Sequence, residues 1–407
     1  MNKEHGYCPA AESVNIMIPF LDSRNESAHN ALNSRYFMKK KLRIFSLGGN
    51  EVSPMGLKDP KTGKSINPDI DLQWQRTIDT CRMIANIIEQ YPDDLYVLTH
   101  GNGPQVGNIL LRAEYSRAIL HPLPLDICGA DTQGAMGYML AQLSNELTTR
   151  GIHKLVAETV TQTVVKHDDP DFKNPSKYIG LTYSKEEAQE RSAKDGWDVK
   201  LYGTDKDGAE VWRRVVPSPE PFDIVEARIV DQQVHSGMIP ISVGGGGIPV
   251  VEIQPRIVDN EEIYECAHHV VFRRPFKTGQ APARIFSGVE AVIDKDLASA
   301  LLGAMLIKFA KARGEELEVS LTIFTNEDGA KFHYKKPDQR DLRKLTLAEA
   351  KHYLETSPED FPAGSMGPKM KAIIRFLESG GSTAYITKTA LFEKTIKGEA
   401  GTTVTAR

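Results

Sequence analysis

The sequence predicts an α/β fold: a mostly parallel central sheet with helices on both faces, and a small protruding lid subdomain. Three observations carry this expectation. Apolar strand candidates alternate with helix candidates along the chain, as in repeated strand–helix–strand units. Several of those strands run straight into glycine clusters, the turn that such units need between strand and helix. Finally, 407 residues with 40% apolar and 26% charged composition supply a sizeable core.

The first strand candidate is Leu42 to Leu47 (LRIFSL), ending in Gly48-Gly49-Asn50. A helix over residues 71 to 90 follows, with Cys81, Ile84 and Ile88 at helical spacing and Tyr91-Pro92 as the stop. It leads into a second strand, Leu95 to Thr99. Further strands are expected at Ile239 to Val243, Leu321 to Thr325 and Ala384 to Thr387, and further helices at 126 to 149, 294 to 313 and 365 to 379. Strands that read as continuous apolar runs are those buried on both faces, which favours parallel pairing.

Two segments interrupt the pattern. Residues 164 to 220 are polar and rich in Pro, Lys, Asp and Trp, as a protruding lid would be, and residues 252 to 287 read as a surface insertion. Residues 1 to 40 form a polar N-terminal extension with neither a signal-peptide pattern nor an acid-poor transit peptide, the domain proper is expected over 41 to 403, and 404 to 407 is a short C-terminal tail. No internal repeat or low-complexity tract is present.

Composition narrows the function classes. Fifty Lys and Arg against 54 Asp and Glu leave no cationic excess for a nucleic-acid partner. The uncharged run from Gln232 to Val251 contains Pro240, Pro249 and Gly244 to Gly247, which no membrane helix would tolerate, so no membrane partner is expected. Four dispersed cysteines (Cys8, Cys81, Cys128, Cys266) encode neither a disulfide framework nor a zinc ribbon, which suits a cytoplasmic protein.

Two phosphate-binding fingerprints are absent. Asp59 to Ser65 (DPKTGKS) has Lys58 where a P-loop needs glycine, and Gly101-Asn102-Gly103-Pro104-Gln105-Val106-Gly107 has one residue too many for a dinucleotide fingerprint. Three glycine clusters nevertheless follow strands: Gly48-Gly49-Asn50, Gly101-Asn102-Gly103 and Gly244 to Gly247. Any one of them could be a tight turn without a ligand. Three at the carboxyl ends of parallel strands converge where open α/β sheets bind ligands, and bare backbone N–H groups there suit a phosphorylated substrate.

The runs LGGN (47 to 50), THGNGPQVGN (99 to 108), PLDICGADTQGAMGYML (124 to 140), NPSKYIG (174 to 180), WRRVVPSPEP (212 to 221), GGGGIPV (244 to 250), GVEAVIDKDLASALL (288 to 302), KPDQ (336 to 339) and GSMGPK (364 to 369) resemble the carbamate kinases of the amino acid kinase superfamily, in that family's order. The resemblance implies the amino acid kinase sandwich fold and reversible phosphoryl transfer between carbamoyl phosphate and ADP, giving ATP and carbamate. It further implies a cytoplasmic homodimer that uses Mg²⁺ with its nucleotide and serves fermentative arginine and carbamoyl phosphate breakdown.

By this resemblance, Lys177 reaches from the lid to carbamoyl phosphate, while Lys295 and Lys369 contact the nucleotide phosphates and the transferred group. Asp296 organises the lysines, a role weighed against helix capping, which Asp294 or Asp296 could each provide. Gly48, Gly49, Asn50, Gly101, Asn102, Gly245 and Gly246 form the carbamate and phosphate side; Asp294, Lys295, Thr325, Met366 and Lys369 form the nucleotide side. No protein metal site is expected, since Mg²⁺ arrives with the nucleotide. Lysines and backbone amides suffice for this chemistry, because charge spreads over the equatorial oxygens of the transferring group.

Three features depart from the family pattern: Asn326-Glu327 with Lys331 beside the expected adenine pocket, the 252 to 287 insertion with Cys266-Ala267-His268-His269, and the N-terminal extension. Trp74, Trp197 and Trp212 are read as packing residues, and His100 and His121 as structural, because carbamate is already an anion and needs no general base. Two alternatives remain, a catalytically silent carbamoyl phosphate or nucleotide sensor and another amino acid kinase.

Overall fold

The computed structural model describes residues 40 to 52, 69 to 205, 207 to 362 and 366 to 406. The N-terminal extension up to residue 39, the DPKTGKS segment, Gly364 and Ser365 lie outside the described residues, as does the side chain of Asn50.

An eight-stranded sheet forms the centre. Its order is Lys344–Thr346, Thr402–Thr405, Thr383–Thr387, Leu317–Phe324, Lys40–Leu47, Leu95–His100, Ile239–Ile241 and Val156–Glu158. All neighbours pair in parallel except Thr383–Thr387 with Thr402–Thr405. Burial explains the apolar first strand: Leu42 to Leu47 is buried throughout. Even Arg43 lies under cover, its charge met by Asp94 at 2.6 Å and its guanidinium 4.3 Å from the Tyr91 ring.

Helices cover the sheet as the spacing predicts. Ile70–Gln90 starts at Asp69, whose side chain accepts from Leu72 N, and it buries Cys81, Ile84 and Ile88. Phe45 sits in an aromatic cluster with Phe324 and Phe392, ring centroids 5.4 and 5.2 Å away. Trp74 packs edge-on against Tyr138 at 5.4 Å. The expected helix 126 to 149 is instead two helices, Leu125–Leu140 and Leu143–Thr149. Ala141 N–H bonds to both Gly137 and Met139 carbonyls, a tightened last turn that no Gly or Pro announces. The C-terminal tail is also shorter than expected: Val404 and Thr405 complete a strand, held between Thr383–Thr387 and Lys344–Thr346.

A second, four-stranded sheet has the order Ile285–Gly288, Ile248–Ile253, Gln162–Val165 and Pro221–Ile224. Both interrupting segments leave and return through adjacent antiparallel strands of this sheet. The lid arises between Gln162–Val165 and Pro221–Ile224. It contains an antiparallel sheet of Lys177–Tyr183, Glu210–Val216 and Asp198–Thr204. It also contains helix Lys185–Asp195, opened by a Ser184–Glu187 capping box and closed by Gly196 in the left-handed conformation. The residues expected to be a surface insertion are more structured than a loop. Glu252 and Ile253 pair with Phe286 and Ile285, and between them lies a meander of Arg256–Val258, Glu261–Glu265 and Val271–Pro275. Glu262 is buried there against Arg274. His268 Nε2 lies 3.2 Å from Asp126 Oδ2 on the body.

The edge strand Val156–Glu158 carries a buried carboxyl whose two oxygens find no hydrogen-bond partner. Glu158 packs so tightly on Gly137 that a Cβ there would fall 2.3 Å from Oε2. Burial raises the Glu158 carboxyl to about 8. The folded state then holds a proton that the unfolded chain releases above its ordinary carboxylate range, so this group's stabilisation is full at low pH and lost as pH rises to about 8. Glu158→Gln, which cannot ionise, is therefore expected to melt higher than wild type at pH 8.5, by roughly 2 °C or more, with the gap closing at pH 5. A gap independent of pH would show that Glu158 is charged in the fold.

Candidate active site

The helix Lys295–Ala312 begins below the carboxyl ends of the central strands. Its N-cap is Asp294, whose Oδ1 accepts from Asp296 N at 2.9 Å and Leu297 N at 3.3 Å. Capping therefore falls to Asp294, and Asp296 is free for other contacts. Its carboxylate, nearly inaccessible, accepts from Ser46 Oγ at 3.0 Å, from Lys369 Nζ at 2.7 Å and from Lys295 Nζ. Lys295 Nζ also donates to Ser46 Oγ at 2.8 Å. Lys369 stands in the first turn of helix Met366–Glu378, so both ammonium groups start at helix openings, whose dipoles also attract anions.

Burial alone would raise the Asp296 carboxyl, but the charges of Lys295 and Lys369 overcome it and hold the group well below its ordinary range. Burial lowers the Lys295 ammonium, a trend that Asp296 opposes and Lys369 reinforces. Two lysines on one carboxylate leave a net positive charge that a phosphate can complete.

Two cavities meet at Lys295 and Lys369. One, of about 800 Å³, is lined by Gly49, Gly101, Asn102, Gly245, Lys177, Arg213, Asp294 and the Lys295–Asp296–Lys369 triad, among others. The other, of about 200 Å³, is lined by Gly48, Gly49, Glu51, Phe324, Thr325 and Asn326 with Lys295 and Lys369. Both lysines face both spaces. The glycine turns make this closeness possible. A Cβ on Gly49 would lie 2.9 Å from Gly103 Cα, and Gly245, at φ +64°, would drive one to 2.1 Å from the Asn102 amide. Asn102 Oδ1 is buried without a protein partner and is free to accept a hydrogen bond from a ligand.

Lys177 opens the first lid strand, with Nζ 3.8 Å from Asp294 Oδ2. Its approach is set by Asp171, which accepts from Ser176 Oγ at 3.0 Å and from Ser218 N, tying the two lid hinges together. Lid and body meet again at Arg214–Glu290, 3.2 Å apart, and at Arg117–Asp195. Most residues singled out from the sequence thus surround the two cavities. Gly246 and Met366 line neither: a Cβ on Gly246 would meet Ile293 at 2.7 Å, and Met366 packs half-buried on the core. Lys331 is engaged with Asp341 at 2.6 Å. His100 is wholly buried and pushed down to about 4, first by burial and further by Lys295, so it is neutral and remains a packing group against Gly244. Sequence reasoning missed Ser46 and Arg213. Ser46 sits as one hydroxyl inside an apolar strand, and that polar interruption just before a glycine turn was the available signal.

The chain is 38% identical over 365 residues to the carbamate kinase of Thermococcus kodakarensis, covering 89% of this chain and 98% of that one. The chain belongs to the carbamate kinase family. A carbamate kinase of Clostridium perfringens is 35% identical over 368 residues, again across 89% of this chain and 98% of the relative. Among solved structures, the carbamate kinase of Giardia lamblia bound to AMP-PNP superposes with a TM-score of 0.69 at 31% identity, covering 90% of this chain and 98% of that one. No family model matches the chain. Carbamate kinase relatives at these identities span nearly the whole described domain, lid included.

Proposed function

We infer that the protein is a carbamate kinase that transfers the phosphoryl group of carbamoyl phosphate to MgADP, giving MgATP and carbamate. The observation that carries this reading is the pair Lys295 and Lys369, held by Asp296 and lining both cavities. An in-line transfer needs its two substrates on either side of a fixed cationic centre, and preorganised ammonium groups stabilise the charge on the equatorial oxygens.

In this reading carbamoyl phosphate occupies the larger cavity. The backbone turns at Gly49 and Gly245 donate to its phosphate, Gly101 N–H being held by Leu47 O at 3.0 Å, and Asn102 Oδ1 accepts from its NH₂. The nucleotide enters beside Thr325 and Asn326 in the smaller cavity, whereas Asp294, expected on the nucleotide side, lines the larger cavity beside Lys177. A β-phosphate oxygen of ADP attacks phosphorus as the bond to the carbamoyl oxygen breaks, and carbamate leaves as an anion needing no proton. Mg²⁺ comes as part of the nucleotide substrate. Among the described residues no three His, Cys, Asp or Glu side chains gather as a resident metal site. The deciding experiment incubates purified protein with carbamoyl phosphate and MgADP and reads ATP with luciferase. No ATP would sink the assignment, and transfer to an amino acid carboxylate instead would point to another amino acid kinase.

Lys177 supports the same reading from the lid side. A lid cation closing over carbamoyl phosphate contributes to binding and to completing the charged site. Lys177→Ala is expected to raise KM for carbamoyl phosphate and lower kcat, each by about tenfold or more, with KM for ADP within about threefold of wild type. An equal ADP defect would contradict the lid role.

We further propose a cytoplasmic homodimer working in fermentative arginine and carbamoyl phosphate breakdown. Exposed Tyr138, Leu155 and Val160 beside the edge strand Val156–Glu158 support a second copy there. No described helix is long and apolar enough to cross a membrane.

A further inference from the structure

Four cations line the larger cavity: Lys177, Arg213, Lys295 and Lys369. Three have carboxylates. Lys295 and Lys369 share Asp296, and Lys177 lies 3.8 Å from Asp294. Arg213 has none among the described residues, although Arg214, its neighbour in sequence, is paired with Glu290 on the body. The two arginines point to opposite faces of strand Glu210–Val216, and only one is neutralised.

The guanidinium of Arg213 is held without a counter-charge. Its Nη2 donates to Gly180 O at 2.7 Å, and the Tyr202 ring lies 4.7 Å from the guanidinium carbon. Its Nε is buried and has no hydrogen-bond partner. A buried N–H left unpaired is costly, and a cation fixed by a carbonyl and an aromatic face keeps its full attraction for an anion. Gly180, at φ +68°, lies close against Gly107, where an added Cβ would fall 3.6 Å from Gly180 Cα.

We propose that Arg213 forms an anion subsite under the lid, which captures the dianionic phosphorylated substrate on its way to Lys177 and the triad. This rests on the assignment of carbamoyl phosphate to the larger cavity. The subsite takes a phosphate-type oxygen on the part of the guanidinium that lines the cavity, while the bond to Gly180 O keeps the fork in plane. The inner lysines, already facing carboxylates, then receive an anion that is positioned and partly desolvated. Arg213 acts on capture and leaves the phosphoryl transfer itself to the triad.

The test compares wild type with R213Q and R213K. For wild type, kcat/KM for carbamoyl phosphate should fall as ionic strength rises. In R213Q it should be about tenfold lower at low salt, with a shallower salt dependence, because one steering charge is gone. Saturated kcat and KM for MgADP should stay within about twofold, and R213K, which keeps the charge but not the fork, should recover part of the loss. An unchanged salt dependence, a defect confined to kcat, or an equal rise in KM for MgADP would overturn the proposal in favour of a purely structural hold on Gly180. Calorimetry with inorganic phosphate gives a second measure that needs no turnover: R213Q should bind it about tenfold more weakly, the size of one charge-assisted hydrogen bond. Equal phosphate affinity would also overturn the subsite. A protein without turnover on carbamoyl phosphate fails the functional reading instead, and leaves the phosphate measurement decisive for Arg213.

Discussion

Asp296→Asn is expected to lower turnover by roughly 10³ or more, a larger loss than removal of one donor to the transition state, because one carboxylate orients two of them. The substitution keeps the shape and an acceptor oxygen but deletes the negative charge between Lys295 and Lys369. Those ammonium groups, with side chains only 12% and 17% exposed, would then repel each other, and of the two only Lys295 keeps a hydrogen bond to Ser46. Breaking a buried ion pair from one side costs about 3–5 kcal/mol, so the variant should also melt lower. Bound nucleotide phosphate can replace the missing charge, and MgADP should therefore raise the melting temperature of Asp296→Asn more than that of wild type. Turnover above a tenth of wild type, or no extra stabilisation by MgADP, would show that Asp296 does not organise the lysines.

Lys295→Ala and Lys369→Ala should each cut turnover by roughly 10² to 10³, the scale of one preorganised charge contact. Their effects on the fold should differ. Lys369 gives one hydrogen bond, to Asp296, and its loss leaves that carboxylate with Lys295 and Ser46. Lys295 is the more deeply buried, and its removal takes donors from both Ser46 and Asp296, so Lys295→Ala should melt lower than Lys369→Ala. The double variant should lose much less than the product of the single losses, since both lysines act through one carboxylate. Losses that multiply would mean two independent sites.

The site was legible where its chemistry is local. The glycine turns after apolar strands could be read from the residues alone, whereas Lys295 between two aspartates and Lys369 behind Gly367-Pro368 were singled out because their short runs resemble carbamate kinases. Ser46 was not legible, because its role depends on Asp296, which is 250 positions away in sequence. Arg213 was hidden for a related reason: strand alternation sends it and Arg214 to opposite faces, but only the fold shows which face meets a carboxylate. In the fold, the central strands declared themselves through continuous apolar runs. Thr402–Thr405 did not, since a polar Thr-rich segment becomes a strand only when two neighbours supply its hydrogen bonds. The meander within 254 to 284 was obscured by its exposed, mixed composition, its pairing being fixed by contacts across strands such as Glu262 with Arg274.

The central position of the first strand bears on how the chain acquires this structure. Lys40–Leu47 is an early segment to be synthesised, yet it lies in the middle of the sheet, with Leu317–Phe324 on one side and Leu95–His100 on the other. Its second partner exists only after most of the chain has been made. Until then a strand buried from Leu42 to Leu47 has one open edge, and closing it requires pairing across a very long stretch of sequence, which is slow. Nascent chains should therefore be prone to aggregation up to the point where residues 317 to 324 emerge, and truncations ending before them should depend on chaperones to stay in solution.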